Sequence, residues 1–105
     1  MSADKRRRML EEMLAESPDD GELRYALAME DVSAGDHATA AQRFRELAAL
    51  PKPHVPAFLM GAQSLMKLGK TSEAIALLRQ GVAAAHAQGN QHARDEMQGM
   101  IDSLE

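Results

Sequence analysis

The chain has 105 residues, 45% hydrophobic and 27% charged, with 8 methionines, 3% aromatics, no cysteine and a formal net charge of −4. That balance belongs to a folded globular domain rather than a disordered segment, and a mild acidic excess leaves no global footprint for nucleic acid. Without cysteine there are no disulfides, thiolate metal sites or cysteine nucleophiles, a composition that fits a cytoplasmic protein. Heavy use of Ala, Leu, Met, Glu, Arg and Gln, which lose little rotamer freedom in a helix, predicts an all-α fold.

Taken in chain order, residues 4–16 predict a first helix that opens with Lys5-Arg6-Arg7-Arg8. Met9-Leu10-Glu11-Glu12-Met13-Leu14 follows and offers no uncharged apolar run, so no signal peptide is expected. Nowhere does the chain approach the ~18 apolar residues of a membrane span. The basic run lacks interleaved aromatics and reads as a solvated helix end rather than a contact for nucleic acid or anionic lipid.

Pro18 closes that helix, and a second is expected near 21–34, stopped by Gly35. Asp36 is an N-cap for a third near 37–49, with Pro51 or Pro53 beyond it. A fourth near 55–68 stops at Gly69, and Thr71 is the expected N-cap of a fifth near 72–87. After Gly89-Asn90, a polar sixth helix near 91–104 carries one apolar stripe: Ala93, Met97, Met100, Ile101 and Leu104.

The second to fifth helices repeat. Leu27-Ala28, Gly35, Ala40 and Phe44 superimpose without a gap on Gly61-Ala62, Gly69, Ala74 and Leu78, each pair 34 residues apart (69 − 35, 74 − 40, 78 − 44). With this period and a small residue four before a bulky one, the sequence resembles the tetratricopeptide repeat family. Leu27, Ala28, Gly35, Ala40 and Phe44 match the family pattern in the first unit, and Phe58, Ala62, Gly69, Ala74 and Leu78 in the second. Arg24 and Asp31 stand where aromatics are expected, and Gly61 replaces a leucine. Arg6, Leu10 and Met13 fall at the second-helix spacing.

The resemblance implies a right-handed helical-hairpin solenoid: a half-repeat helix at 4–16, repeats at 21–54 and 55–88, and a capping helix at 90–104. It also implies that the first helix of each unit lines a concave groove that takes a peptide or helix of a partner protein. Carried over by position, the partner-binding groove comprises Tyr25, Met29, Val32, Leu59, Gln63, Met66 and Lys67, flanked by Glu22, Ser33 and Pro56. Tyr25, Met29, Val32, Leu59 and Met66 form an apolar strip, which marks an interaction site if exposed. It is plain core if the slab curls tightly and the flanking helices cover it. Self-assembly into a homodimer through the same strip is the alternative, since two repeats fall short of the usual three. Some relatives grip a chaperone's C-terminal carboxylate through cationic groove residues, but Tyr25, Met29 and Met60 supply no positive charge for such a clamp.

Nothing here asks for an enzyme. His37, His54, His86 and His92 form no i, i+4 metal pair, no nucleophile, nucleotide or metal motif occurs, and no catalytic, cofactor-binding or metal residues are expected. The acidic crowd Asp19, Asp20, Glu22, Glu30, Asp31 and Asp36 reads as a solvated face near helix N-termini, or as a steering field for a partner. Asp31 either reaches solvent at its helix end or marks a binding contact.

Overall fold

A computed structural model describes residues 2–105 and is helical throughout its regular structure. The six helices are α1 (Ala3–Glu16), α2 (Gly21–Ser33), α3 (His37–Ala48), α4 (Pro56–Lys67), α5 (Thr71–Ala87) and α6 (Gln91–Leu104). Each packs chiefly on the helix before and after it in sequence, the one-dimensional contact pattern of a solenoid of hairpins. The result measures 39 × 29 × 20 Å.

One device closes α2, α4 and α5. Gly35, Gly69 and Gly89 take φ values of 78°, 76° and 72°, a left-handed region that costs L side chains steric strain. The following residue then donates its N–H back into the helix, Asp36 to the Asp31 carbonyl, Lys70 to Leu65 and Asn90 to Ala85, so carbonyls orphaned at the helix end are satisfied. Ser2, Asp20, Asp36 and Asn90 cap the helices that follow them with side-chain oxygens. Thr71 does not. The capping position before α5 belongs to Lys70, which makes no side-chain cap bond, because the period places Lys70, not Thr71, where Asp36 stands in the first unit.

The positions that carry the repeat are core. Leu27, Ala28, Ala40, Phe44, Phe58, Ala62, Ala74 and Leu78 are all buried. Gly61, where the pattern expects leucine, is a close approach: a Cβ there would lie 2.9 Å from Leu77 Cδ2 and 3.0 Å from Phe44 Cβ. Gly81 is tighter still, with Met97 Sδ and Phe58 Cβ at 2.5 and 2.6 Å from the same imagined atom. Phe44, Phe58, Leu77 and Met97 fill the space a larger residue would have taken, which keeps α3 to α6 densely packed.

The half-repeat helix differs. No residue of α1 is buried, and the side chains partly covered on it are Arg7, Leu10 and Leu14. Arg6 and Met13, which share the second-helix spacing with Leu10, are exposed, Met13 by 46%. A second helix of this type has its Met13 position covered by the first helix of its own hairpin, and no such helix stands beside α1 among the described residues.

Candidate functional site

The candidate site forms where α2, α4 and α6 converge. Tyr25 enters from α2, Pro56, Leu59 and Met60 from α4, Ala93, Glu96 and Met97 from α6, and Val55 and Asn90 from the turns before those helices. Buried Val55 and Met97 make the floor, half-buried Tyr25, Leu59 and Met60 the walls, and exposed Pro56, Asn90 and Glu96 the rim. The cleft is open on one side and holds about 150 Å³, room for one apolar side chain.

Local sequence explains each wall. Pro56 starts α4, where its fixed φ suits a first helical turn. That turn places Leu59 beside Tyr25. Asn90 accepts the Ala93 N–H at 3.1 Å, which sets the start of α6. The Tyr25 ring packs tilted against Phe44, centroids 5.6 Å apart, and against His54 at 4.9 Å, a geometry aromatic rings favour. Burial, and secondarily the nearby Glu22 carboxylate, push the Tyr25 hydroxyl above its ordinary pKa of 10.0. It therefore presents a neutral O–H at the cleft.

Of the seven groove residues expected from sequence, the cleft brings together Tyr25 and Leu59. Met29 and Val32 are half-buried against the cluster around Ala28, Phe44 and Leu47. Met66 likewise packs on the larger cluster around Phe58 and Leu78. Gln63 and Lys67 are exposed on α4, away from the cleft. The strip is thus largely self-covered, with one gap.

The residues missed by sequence reasoning are Ala93, Glu96 and Met97 of α6, together with Val55, Met60 and Asn90. The signal for α6 was present: Tyr25, Leu59 and Ala93 are 34 residues apart (59 − 25, 93 − 59), so the period continues into the helix read as a cap. The cleft is one repeat position seen three times.

Asp31 is neither a solvent-reaching end nor a free contact. It is 3% exposed, accepts a 2.9 Å hydrogen bond from Arg7 of α1 and faces Arg43 Nε of α3 at 2.9 Å. The Arg43 contact is ionic, since its angle falls outside hydrogen-bond geometry. Glu30 pairs with Arg6 at 2.7 Å, while Asp20 and Asp36 cap helices. Most of the acidic crowd is therefore structural, and so is half of the basic run. Among the described residues Glu22 and Glu96 make no ion pair, and both stand near the cleft.

Larger hollows of about 250 and 220 Å³ lie between α1 and α2 and at the α5–α6 turn, and two more, about 290 and 540 Å³, open beside α3. Arg45 lines both of the latter and pairs across one of them with Glu73 at 2.9 Å. Neither offers an aromatic wall. Among the described residues no group of three or more His, Asp or Glu side chains could hold a metal ion, and no helix is long and apolar enough to cross a membrane.

Helical hairpins stacked at a 34-residue period define a helical-repeat protein. The chain belongs to the tetratricopeptide repeat family, whose profile matches residues 31–94. Proteins of this family are generally protein–protein interaction modules. The solution structure of a tetratricopeptide repeat domain protein from Salinibacter ruber is similar at a TM-score of 0.77 and 28% identity, covering 84% of this chain and 89% of that one. A Bordetella parapertussis protein gives 0.77 and 26%, covering 93% and 85%. No curated protein matches the chain.

Proposed function

We propose that the protein is an adaptor that holds a peptide or helix of another protein along the concave face of α2, α4 and α6. One apolar side chain of the partner enters the cleft between Tyr25, Leu59 and Ala93. The supporting observation is that cleft: an opening of about 150 Å³ with apolar walls, on a face where Met29, Val32 and Met66 are half-covered by their own neighbours. An anchor of that size buried in a desolvated pocket is the usual source of hot-spot binding energy. Glu22 and Glu96 favour a cationic residue beside the anchor. The repeat units at 21–54 and 55–88 act here as one scaffold, with α6 contributing as a third first helix. The reading assigns no chemistry to the protein and places it in the cytoplasm on its cysteine-free composition.

A random peptide library displayed on phage and selected against the purified chain tests this. Recovered peptides share an apolar anchor, and calorimetry shows Leu59→Glu weakening them by tenfold or more, about 1.4 kcal/mol, with an unchanged melting curve. Recovery of no peptide, or of peptides indifferent to Leu59→Glu, contradicts the proposal. A dimer that Leu59→Glu splits would show that a second copy of the chain closes this face.

A further inference from the structure

The large apolar side chains left most open lie elsewhere. Met9 and Met13 on α1 are 44% and 46% exposed, one helical turn apart on the same side of the helix. The same repeat position as Met13 is Leu47 in α3, which is fully buried because α2 and α4 close around it. In α1 that face has nothing packed on it among the described residues. Around the two methionines stand Lys5 and Arg8 toward the N-terminal end, and Glu12 and Glu16 toward the C-terminal end, all exposed. None of these four side chains forms an ion pair among the described residues. Arg6 and Arg7, by contrast, are bound to Glu30 and Asp31.

We propose that this face of α1 pairs antiparallel with α1 of a second copy, making a two-fold dimer. An isologous contact requires a surface complementary to itself, and the face has that property. A two-fold axis crossing α1 at about Glu11 brings Met9 level with Met13 of the second copy. It also sets Lys5 within about one residue rise, ~1.5 Å, of Glu16 of the second copy. The basic half of each helix then lies along the acidic half of the other, with four methionine side chains at the centre. Methionine suits such a contact, being apolar and adaptable in shape. A helix pair of fourteen residues each buries less than the roughly 800 Å² per partner of a standard interface, so the dimer is weak and concentration-dependent. Its charged flanks make it weaken with salt. It leaves the cleft at Tyr25, Leu59 and Ala93 free and does not depend on that site's role.

Sedimentation equilibrium between about 10 μM and about 1 mM, a range suited to weak association, reads the outcome. The expected mass rises from 11.4 kDa toward twice that value. Lys5→Glu or Glu16→Lys alone raises the dimer dissociation constant by about tenfold, because two symmetry-related attractions become repulsions. The double variant restores the wild-type constant. Both substitutions suit the helix dipole, an acid near the N-terminus and a base near the C-terminus, so α1 keeps its helicity by circular dichroism. Met9→Ser with Met13→Ser abolishes the dimer. A monomer at every concentration overturns the proposal. So does a dimer indifferent to Lys5→Glu and Glu16→Lys, or one that only Leu59→Glu splits.

Discussion

The joint between α1 and α2 and the body formed by α3 to α6 are built from the same repeat positions by different physics. In the body, Phe44 and Leu78, at the repeat position of Leu10, and Leu47, at that of Met13, are buried, and Gly61 and Gly81 let the backbones approach until side chains touch. At the joint no residue of α1 is buried, and Arg6 and Arg7 reach across to Glu30 and Asp31 instead. The repeat pattern therefore sets where a helix lies, while the helices on either side decide whether its apolar residues become core. Where neighbours are complete, packing stabilises the helix. Where one side is open, ion pairs and the half-covered Leu10 and Leu14 hold it, and its methionines stay exposed.

The largest expected effects fall in the body. Phe44→Ala, which removes the ring that packs on Tyr25 and faces Gly61, costs about 3–5 kcal/mol in urea unfolding. Gly81→Val costs about 1–3 kcal/mol or more, since its Cβ would meet Phe58 backbone-proximal carbon at 2.6 Å. At the joint, Asp31→Ala loses about 1–2 kcal/mol, less than a fully buried pair would, because the Arg7 and Arg43 side chains are 31% and 37% exposed and water takes over part of their solvation. That loss shrinks as salt rises, whereas the Phe44→Ala loss does not. An Asp31→Ala loss as large as that of Phe44→Ala would erase the distinction between the two regions.

Smaller effects sharpen it. Gly99 on α6 has open space around its Cβ position and lies within a helix, so Gly99→Ala stabilises by about 0.5–1 kcal/mol, opposite in sign to Gly81→Val. The Tyr25 hydroxyl, whose folded pKa is raised by burial and by Glu22, gives a pH signature. The folded state holds this proton more tightly than the unfolded chain, so stability is complete below pH 10 and declines as pH rises above it. Tyr25→Phe removes that alkaline component of the stability curve.

Much of the architecture was legible because a 34-residue period and three helix-stopping glycines are local facts. Helix ends predicted from Gly35, Gly69 and Pro18 fall within a residue or two of those observed, and the small residues Ala40 and Ala74 sit at buried crossings. Asp31 was not legible, because its partners lie 24 residues earlier on α1 and beyond the turn on α3. Which helix presents an arginine to it depends on packing angles rather than spacing. Nor was the split of the apolar strip, since the half-burial of Met29, Val32 and Met66 depends on how tightly the hairpins curl. The contribution of α6 was a different kind of miss. Ala93 continues the series from Tyr25 and Leu59, but a single apolar stripe on a polar last helix has the pattern of a cap, which carries no groove position.

The measurement that tests the central claim most directly is backbone amide NMR of the chain titrated with a library-selected peptide. The account predicts that shifts concentrate on α2, α4 and α6, around Tyr25, Leu59 and Ala93, with α3, α5 and the outer face of α1 unmoved. Shifts centred instead on the α3 hollows, or on Met9 and Met13, would contradict a partner site across the first helices.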